Sequence, residues 1–286
     1  MLIPYIDFHF IWRWIIISDK KILEFKNISN KISEGFSLNN INLEIEKETI
    51  HGILGNERSG KLEIIKLLIG ITKADAGEII YKGESVEFNN FKDSFEQGIF
   101  TIHQQYEDSN DDVWSFLKGR KSSGYRDKSN FFLNMSVVEN IFFGREPKVG
   151  FGILSFINKK KMFREAQKLF EELNIDLDPN IKMGNLSYFE RLLTALAKAV
   201  YYQCELIIIN EPTKMLSAEE KQKLFRIINS LKNKEYSFIY LSEEIDIILE
   251  ISDKVTVLKN GRKIGTEETS NLDFDKLSLM FLGKKI

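Results

Sequence analysis

The chain has a single cysteine, Cys204, among 286 residues, which excludes an intrachain disulfide and the multi-cysteine zinc patterns and suits a reducing compartment. A lone thiol of this kind reads as a packed residue before a nucleophile. Net charge is nearly absent as well: 40 Lys and Arg face 42 Asp and Glu, leaving −2. That balance removes the electrostatic case for nucleic acid as the main partner. There is no internal repeat and no low-complexity tract. Beyond the N-terminus no stretch is long and apolar enough to span a bilayer. The N-terminal "MLIPYIDFHFIWRWIIIS" is interrupted by Asp7, His9 and Arg13 and has neither a basic n-region nor a small-residue cleavage site, so it reads as neither a signal peptide nor a span. An interfacial helix, an extra strand and residues preceding the domain all stay open for it. Trp12 and Trp14 suit a membrane interface, although buried aromatics are the commoner case. The protein is expected to be soluble or peripheral.

The length is enough for one large domain or two modest ones. Alternating stretches, "ILEFKNIS" and "INLEIEKETI", predict β-strands, and "GEIIYKGESVEF" predicts a hairpin around Lys82 and Gly83. "GIFTIHQQ" predicts a buried strand ending in amides. The polar "EDSNDDVWSFLKGRKSSGYRDKSN" predicts an exposed loop or insertion. "NMSVVENIFFG" and "NKKKMFREAQKLFEELNI" are helical patterns, the second with Met162, Ala166, Leu169, Phe170 and Leu173 on one face. Lys159 to Lys161 open that helix on its solvent side. Later come a strong helix, "SYFERLLTALAKAVYY", and "ELIIIN", a strand of the fully buried parallel type. Helix "AEEKQKLFRIINSLKN", strand "SFIYLS", helix "EIDIILEIS" and strands around "KVTVLKNGRKIGT" complete an alternating α/β core.

Residues 55 to 63, "GNERSGKLE", carry the phosphate-loop spacing G-x-x-x-x-G-K between a short apolar strand, "IHGILG", and a helix, "LEIIKLLIG". Gly55 and Gly60 permit the tight turn that points backbone N–H groups at phosphate oxygens, while Lys61 adds a point charge and the helix its positive end. Asn56, Glu57, Arg58, Ser59, Leu62 and Glu63 complete the loop. A chance glycine turn is the alternative for this stretch. "LIIINEPT" delivers Asn210 and Glu211 at the carboxyl end of a strand, where open α/β sheets place ligands, and Glu211 suits a base that orients attacking water.

The ordered series "GNERSGKLE", "IHQQ", "NLSYFER", "LIIINEPT", "YLSEEID" and "ISDKVTVLKNGRKIGT" resembles the ATP-binding cassette of ABC transporters, from about residue 22 to the C-terminus. "TKADAGEIIYKGESVEF", "MSVVENIFFGRE" and "LSLMFLGKKI" look most like the cassettes of ribose, galactose and xylose importers, which usually carry two in tandem. The resemblance implies an α/β P-loop NTPase cassette with a mixed sheet core, an N-terminal antiparallel β subdomain and a mainly helical subdomain. The expected division is an extension of unknown role over 1–21 and one ATP-binding domain over 22–286. Within it the helical subdomain covers about 107–185, with a polar insertion near 107–130.

Family roles transfer with repeated departures. Gln104 matches the glutamine that helps hold the metal and faces the membrane subunit, with Gln105 as neighbouring candidate. Glu211 matches the catalytic base. Leu62 stands where a hydroxyl binds Mg²⁺, and Asn210 where an aspartate holds the magnesium shell. The signature positions are Leu186, Ser187, Tyr188, Phe189 and Glu190, with bulky residues in place of glycines. The switch histidine position is Glu243, although the second cassettes of tandem sugar importers also commonly lack that histidine. The adenine-stacking aromatic aligns near Ile32, with Phe36 the closest substitute.

Leucine donates no oxygen and asparagine offers only a neutral dipole, so ATP is the expected cofactor with Mg²⁺ poorly held. Tyr188 and Phe189 keep the signature helix from a γ-phosphate. An ionised Glu243 repels one. In an empty site Lys61 would merely neutralise Glu57 or loop carbonyls.

The expected function is the ATP-binding subunit of a sugar-type importer, peripheral on the cytoplasmic face of the membrane, with hydrolysis weakened. Its expected partners are permease subunits, a second and more intact cassette, and indirectly a sugar-binding protein, with no nucleic acid. The alternatives are a non-catalytic scaffold or regulatory protein on the cassette fold, and, ranked last, an ATPase acting away from membranes.

Overall fold

The computed structural model describes residues 20–33, 36–102, 131–150 and 155–284. The N-terminal extension, Gln104, Gln105 and the polar insertion lie outside the described residues. The chain forms two compact units, one of Met1–Asn89 with Ser237–Ile286 and one of Asn90–Tyr236.

The first unit opens with β1 (Lys21–Ser33) and β2 (Phe36–Glu46), an antiparallel pair in which Leu23 faces Ile45 and Phe25 faces Leu43. All four side chains are buried, as period-2 alternation requires of a sheet with one covered face. β3 (Ile50–Leu54) is buried at every position and leads through the glycine loop into α1 (Lys61–Leu68). β4 (Ala76–Tyr81) pairs with β1, and β5 (Glu84–Val86) folds back on β4. The turn between them is Lys82–Gly83, with φ 52° and 83°, the left-handed pair that a two-residue hairpin demands. The sheet order β2-β1-β4-β5 is the predicted antiparallel subdomain.

The second unit begins with α2 (Phe91–Glu96), a one-turn element capped by Asn90, whose Oδ1 accepts from Asp93 N at 3.1 Å. Sequence periodicity does not predict it because six residues hold too little pattern. β6 (Ile99–Ile102) follows. α3 (Val137–Phe142) starts in a Ser136–Glu139 capping box. β7 (Lys148–Val149) and β8 (Phe156–Ile157) form a two-stranded pair that the sequence reading does not anticipate. In α4 (Lys159–Leu173) the buried residues are Met162, Ala166, Leu169, Phe170 and Leu173, the face that helical spacing predicts. α5 (Tyr188–Tyr201) leads to β9 (Leu206–Asn210), which runs parallel to β6 in the register Ile99 to Leu206. α6 (Ala218–Lys232) closes this unit behind a further capping box, Ser217–Glu220.

The chain then returns to the first unit with β10 (Ser237–Ser242), α7 (Ile245–Ile251), β11 (Lys254–Lys259), β12 (Arg262–Glu268) and α8 (Phe274–Phe281). β10 and β11 flank β3 in parallel, and β12 is antiparallel to β11, so the unit has the predicted mixed sheet. Among the described residues no helix is long and apolar enough to cross a membrane.

Candidate functional site

In the first unit the loop after β3 is shaped by contacts that exclude side chains. A Cβ on Gly55 would lie 2.4 Å from Ser59 Oγ and 2.9 Å from Leu258 O. Gly60 has φ +102°, and a Cβ there would meet Leu38 Cδ2 at 2.5 Å. Space requires glycine at Gly55, and both space and backbone require it at Gly60. Ser59 N donates to Asn56 O at 3.0 Å and Lys61 N to Ser59 Oγ at 3.3 Å, closing the loop on itself. The β11–β12 turn holds the loop from outside: Gly261 N donates to Ser59 O at 3.0 Å and Gly261 O accepts from Asn39 N at 2.8 Å. Asn56, Glu57 and Arg58 are exposed at the tip, Ser59 is buried, and Leu62 is half-buried at the start of α1. Glu63 is buried, 3.6 Å from Lys66 Nζ through one carboxylate oxygen, while the other has no hydrogen-bond partner among the described residues.

Lys61 is 1% exposed. Its Nζ donates to Gly55 O at 2.8 Å and stands 3.0 Å from Glu243 Oε1. The register explains the meeting. Ser242 pairs with Leu54 across the parallel β10–β3 ladder, and Gly55 N donates to Ser242 O at 3.2 Å. The residues following these two strands therefore leave the same carboxyl end of the parallel pair, and Glu243 falls beside the loop. Of the partners expected for Lys61, a loop carbonyl, Gly55 O, accepts its hydrogen bond, while the carboxylate that balances its charge is that of Glu243 rather than Glu57. Ile32 lies in β1 and Phe36 opens β2, half-buried.

In the second unit β9 ends in Asn210, whose Oδ1 is buried and has no hydrogen-bond partner among the described residues. Glu211 follows with φ 47° and caps a 3-10 turn, Pro212–Met215. Its carboxylate is engaged by Lys214 three residues on, a neighbour the sequence reading missed. An i,i+3 Glu–Lys pair on a helical turn was its available signal. The signature residues split in role. Leu186 is buried, Ser187 Oγ accepts from Glu190 N at 3.2 Å, and Glu190 Oε2 accepts from Ser187 N at 2.7 Å. Ser187 and Glu190 thus form the capping box of α5. Phe189 is 8% exposed and belongs to the core, whereas Tyr188 is only half-buried.

The residues present fit a nucleotide's phosphates better than a metal. The glycine cradle and Lys61 are phosphate-binding chemistry. For Mg²⁺, Leu62 has no oxygen, Asn210 Oδ1 is a neutral acceptor, and among the described residues no cluster of His, Cys, Asp or Glu suits a metal.

Two buried bases are not among these residues. His51 is 0% exposed, with Nε2 2.8 Å from Thr256 Oγ1, and desolvation, aided by Lys254 and Lys263, pushes its pKa down to about 3. Lys198 is 1% exposed in α5, and burial lowers its pKa to about 7. Cys204 is a buried thiol outside any disulfide, as expected of a packed cysteine.

A sequence model described as ABC transporter matches residues 38–214. The galactose/methyl galactoside import ATP-binding protein of Clostridium perfringens (strain SM101 / Type A) is 33% identical over 265 residues, 93% of this chain and 46% of that protein. A putative ribose/galactose/methyl galactoside import ATP-binding protein of Geobacillus kaustophilus is 34% identical over 270 residues, 94% of this chain and 49% of that protein. The chain therefore spans about half the length of these relatives. In fold it is similar to an ATP-binding cassette of an ABC transporter, with TM-score 0.71 and 23% identity over 92% of this chain and 97% of that one. A nucleotide-free cassette from an ABC transporter gives TM-score 0.67 and 23% identity over 87% and 91%. The phosphate-loop geometry, the mixed sheet and a family match over most of the chain converge: the chain belongs to the ABC transporter family, as an ATP-binding cassette.

Proposed function

We propose that this chain is the ATP-binding part of a sugar-type ABC importer, binding nucleotide at residues 55–63 and passing the effect of binding to membrane partners. The single observation that carries this reading is the glycine cradle closed around a buried Lys61 in a chain 33% identical, over 93% of its length, to a galactose import protein. In this reading Gly55, Asn56, Glu57, Arg58, Ser59, Gly60, Lys61, Leu62 and Glu63 hold the phosphates, and Glu211 orients the attacking water. Gln104 faces the membrane subunit. Leu186 to Glu190 present the signature to an opposing cassette. The partners are permease subunits, a sugar-binding protein acting through them, and a second, more intact cassette. The place of action is the cytoplasmic face of the membrane.

Magnesium, when bound, neutralises charge on the transferred phosphate. Here Asn210 would be its weak outer support and Leu62 none, so binding of nucleotide outlasts its hydrolysis. A second reading, a non-catalytic cassette used as a scaffold, is favoured by one observation: Lys61 and Glu211 are each engaged by an opposite charge of the chain itself, Glu243 and Lys214.

Titration of the purified chain with ATP, with and without Mg²⁺, following thermal stability and phosphate release together, tests the proposal. Stabilisation with little phosphate release, abolished by Lys61→Ala, is the expected result. Absence of stabilisation in the full chain, alone and with its partner subunits, would reject nucleotide binding and leave the scaffold.

A further inference from the structure

The anion at Lys61 belongs to the chain. A carboxylate is an acceptor-only group whose two oxygens present the same chemistry to an ammonium as a phosphate edge does. Glu243 Oε1, 3.0 Å from Lys61 Nζ, thus takes the place where the loop's cation would meet a phosphate. We propose that Glu243 is an internal phosphate mimic that competes with the polyphosphate of a nucleotide for Lys61, so that nucleotide enters only by displacing it. The proposal rests on the reading of residues 55–63 as a nucleotide site.

The two partners are unequally held, which decides which one moves. Lys61 is 1% exposed, lies at the start of α1 and is anchored to Gly55 O at 2.8 Å. Glu243 is 28% exposed and sits in the short connection between β10 and α7, outside either element. Its neighbour Glu244 is tied back through N to Ser242 Oγ at 2.9 Å, so the connection's backbone is pinned while the side chain of Glu243 has solvent to turn into. Leaving it in place costs affinity twice: the carboxylate occupies the cation, and its charge repels the incoming phosphates at short range. Displacing it exchanges one charge-assisted contact at Lys61 for another, so the loop lysine contributes less to ligand binding than it would without the carboxylate, while Lys61→Ala leaves only the repelling carboxylate. A substitution that removes this charge weakens the empty fold and strengthens ligand binding, opposite signs that a merely structural contact does not produce.

The test uses the full chain, with ATP and inorganic tripolyphosphate as probes, and measures dissociation constants by calorimetry beside melting temperatures. Glu243→Gln is expected to melt below the wild-type chain without ligand and to bind both probes at least about tenfold more tightly, the effect of one displaced competitor pair. Glu243→Asp, which shortens the reach by one methylene, serves as the second variant and is expected to bind more tightly than wild type even if Glu243→Gln does not fold. Measurable binding with equal constants in wild type and variants overturns the mimic and leaves the nucleotide site standing. Absence of binding in wild type and variants alike overturns both.

Discussion

Lys61 and Glu243 lie 182 residues apart and form an ion pair, Nζ to Oε1 3.0 Å, on a lysine that is 1% exposed. A parallel ladder makes this contact, because aligning Ser242 with Leu54 sends the two following segments off the same carboxyl end of the paired strands. A double-mutant cycle of Lys61→Met and Glu243→Gln, followed by urea unfolding without nucleotide, is expected to give a coupling energy of about 1–3 kcal/mol, the range for contacting charges of partial burial. A coupling within error of zero would mean that the pair does not persist in solution.

Gly261 holds the loop through Ser59 O. Its φ is +69° and an added Cβ would stand 1.8 Å from Ser37 O, so Gly261→Ala demands both a strained backbone and a shift of β2. The expected cost is at least about 1–3 kcal/mol, with loss of the Gly261 N to Ser59 O bond and weaker nucleotide stabilisation. Gly83→Ala, with φ +83° and open space around it, is the control and should cost less by the same unfolding measurement.

The two bulky signature residues are expected to respond differently. Phe189→Gly empties a core position and lowers stability by about 3–5 kcal/mol. Tyr188→Gly removes a half-buried side chain from the first turn of α5 and should cost less, with about 1 kcal/mol of it from helix propensity. Equal losses in thermal unfolding would contradict the burial assigned to Phe189.

His51 makes stability depend on acid. Its folded pKa, about 3, lies below the ordinary 6.5, so the unfolded chain binds the extra proton between these values and stability falls as pH drops from about 6.5 towards 3. The slope expected from this group alone is about 1.4 kcal/mol per pH unit. Comparing His51→Gln with wild type at pH 7 and pH 5 isolates it from the carboxylates, and a difference unchanged with pH would reject it.

Lys198 acts in the alkaline range. With a folded pKa of about 7 against 10.5, the unfolded chain holds more protons between those values, so stability rises with pH across the window. Lys198→Met should therefore be most favourable relative to wild type at pH 7 and lose that advantage as pH approaches 10. Denaturant unfolding at the two pH values reads the trend, and an advantage that grows with pH would refute it.

Much of this was legible in one dimension. The buried face of α4, the Lys82–Gly83 hairpin and the strand–loop–helix around Gly55 follow from local periodicity and from backbone conformations that only certain residues adopt. The short elements α2, β7 and β8 were not legible, since their few residues carry no period. Phe189 was placed in the signature, but its role as a core residue was not visible, because position within a motif does not say which way a helix turns its faces.

What the sequence determined by itself is the inventory and its order: a glycine loop with one lysine, an apolar strand ending in Asn210 and Glu211, and a series of elements typical of the cassette. Local steric and periodic rules suffice for these because each involves residues within a few turns of one another. Only the tertiary structure decided what Lys61 faces. The register of β10 against β3 is set by long-range backbone pairing, and it places the carboxylate of Glu243, rather than the nearby Glu57, against the buried ammonium.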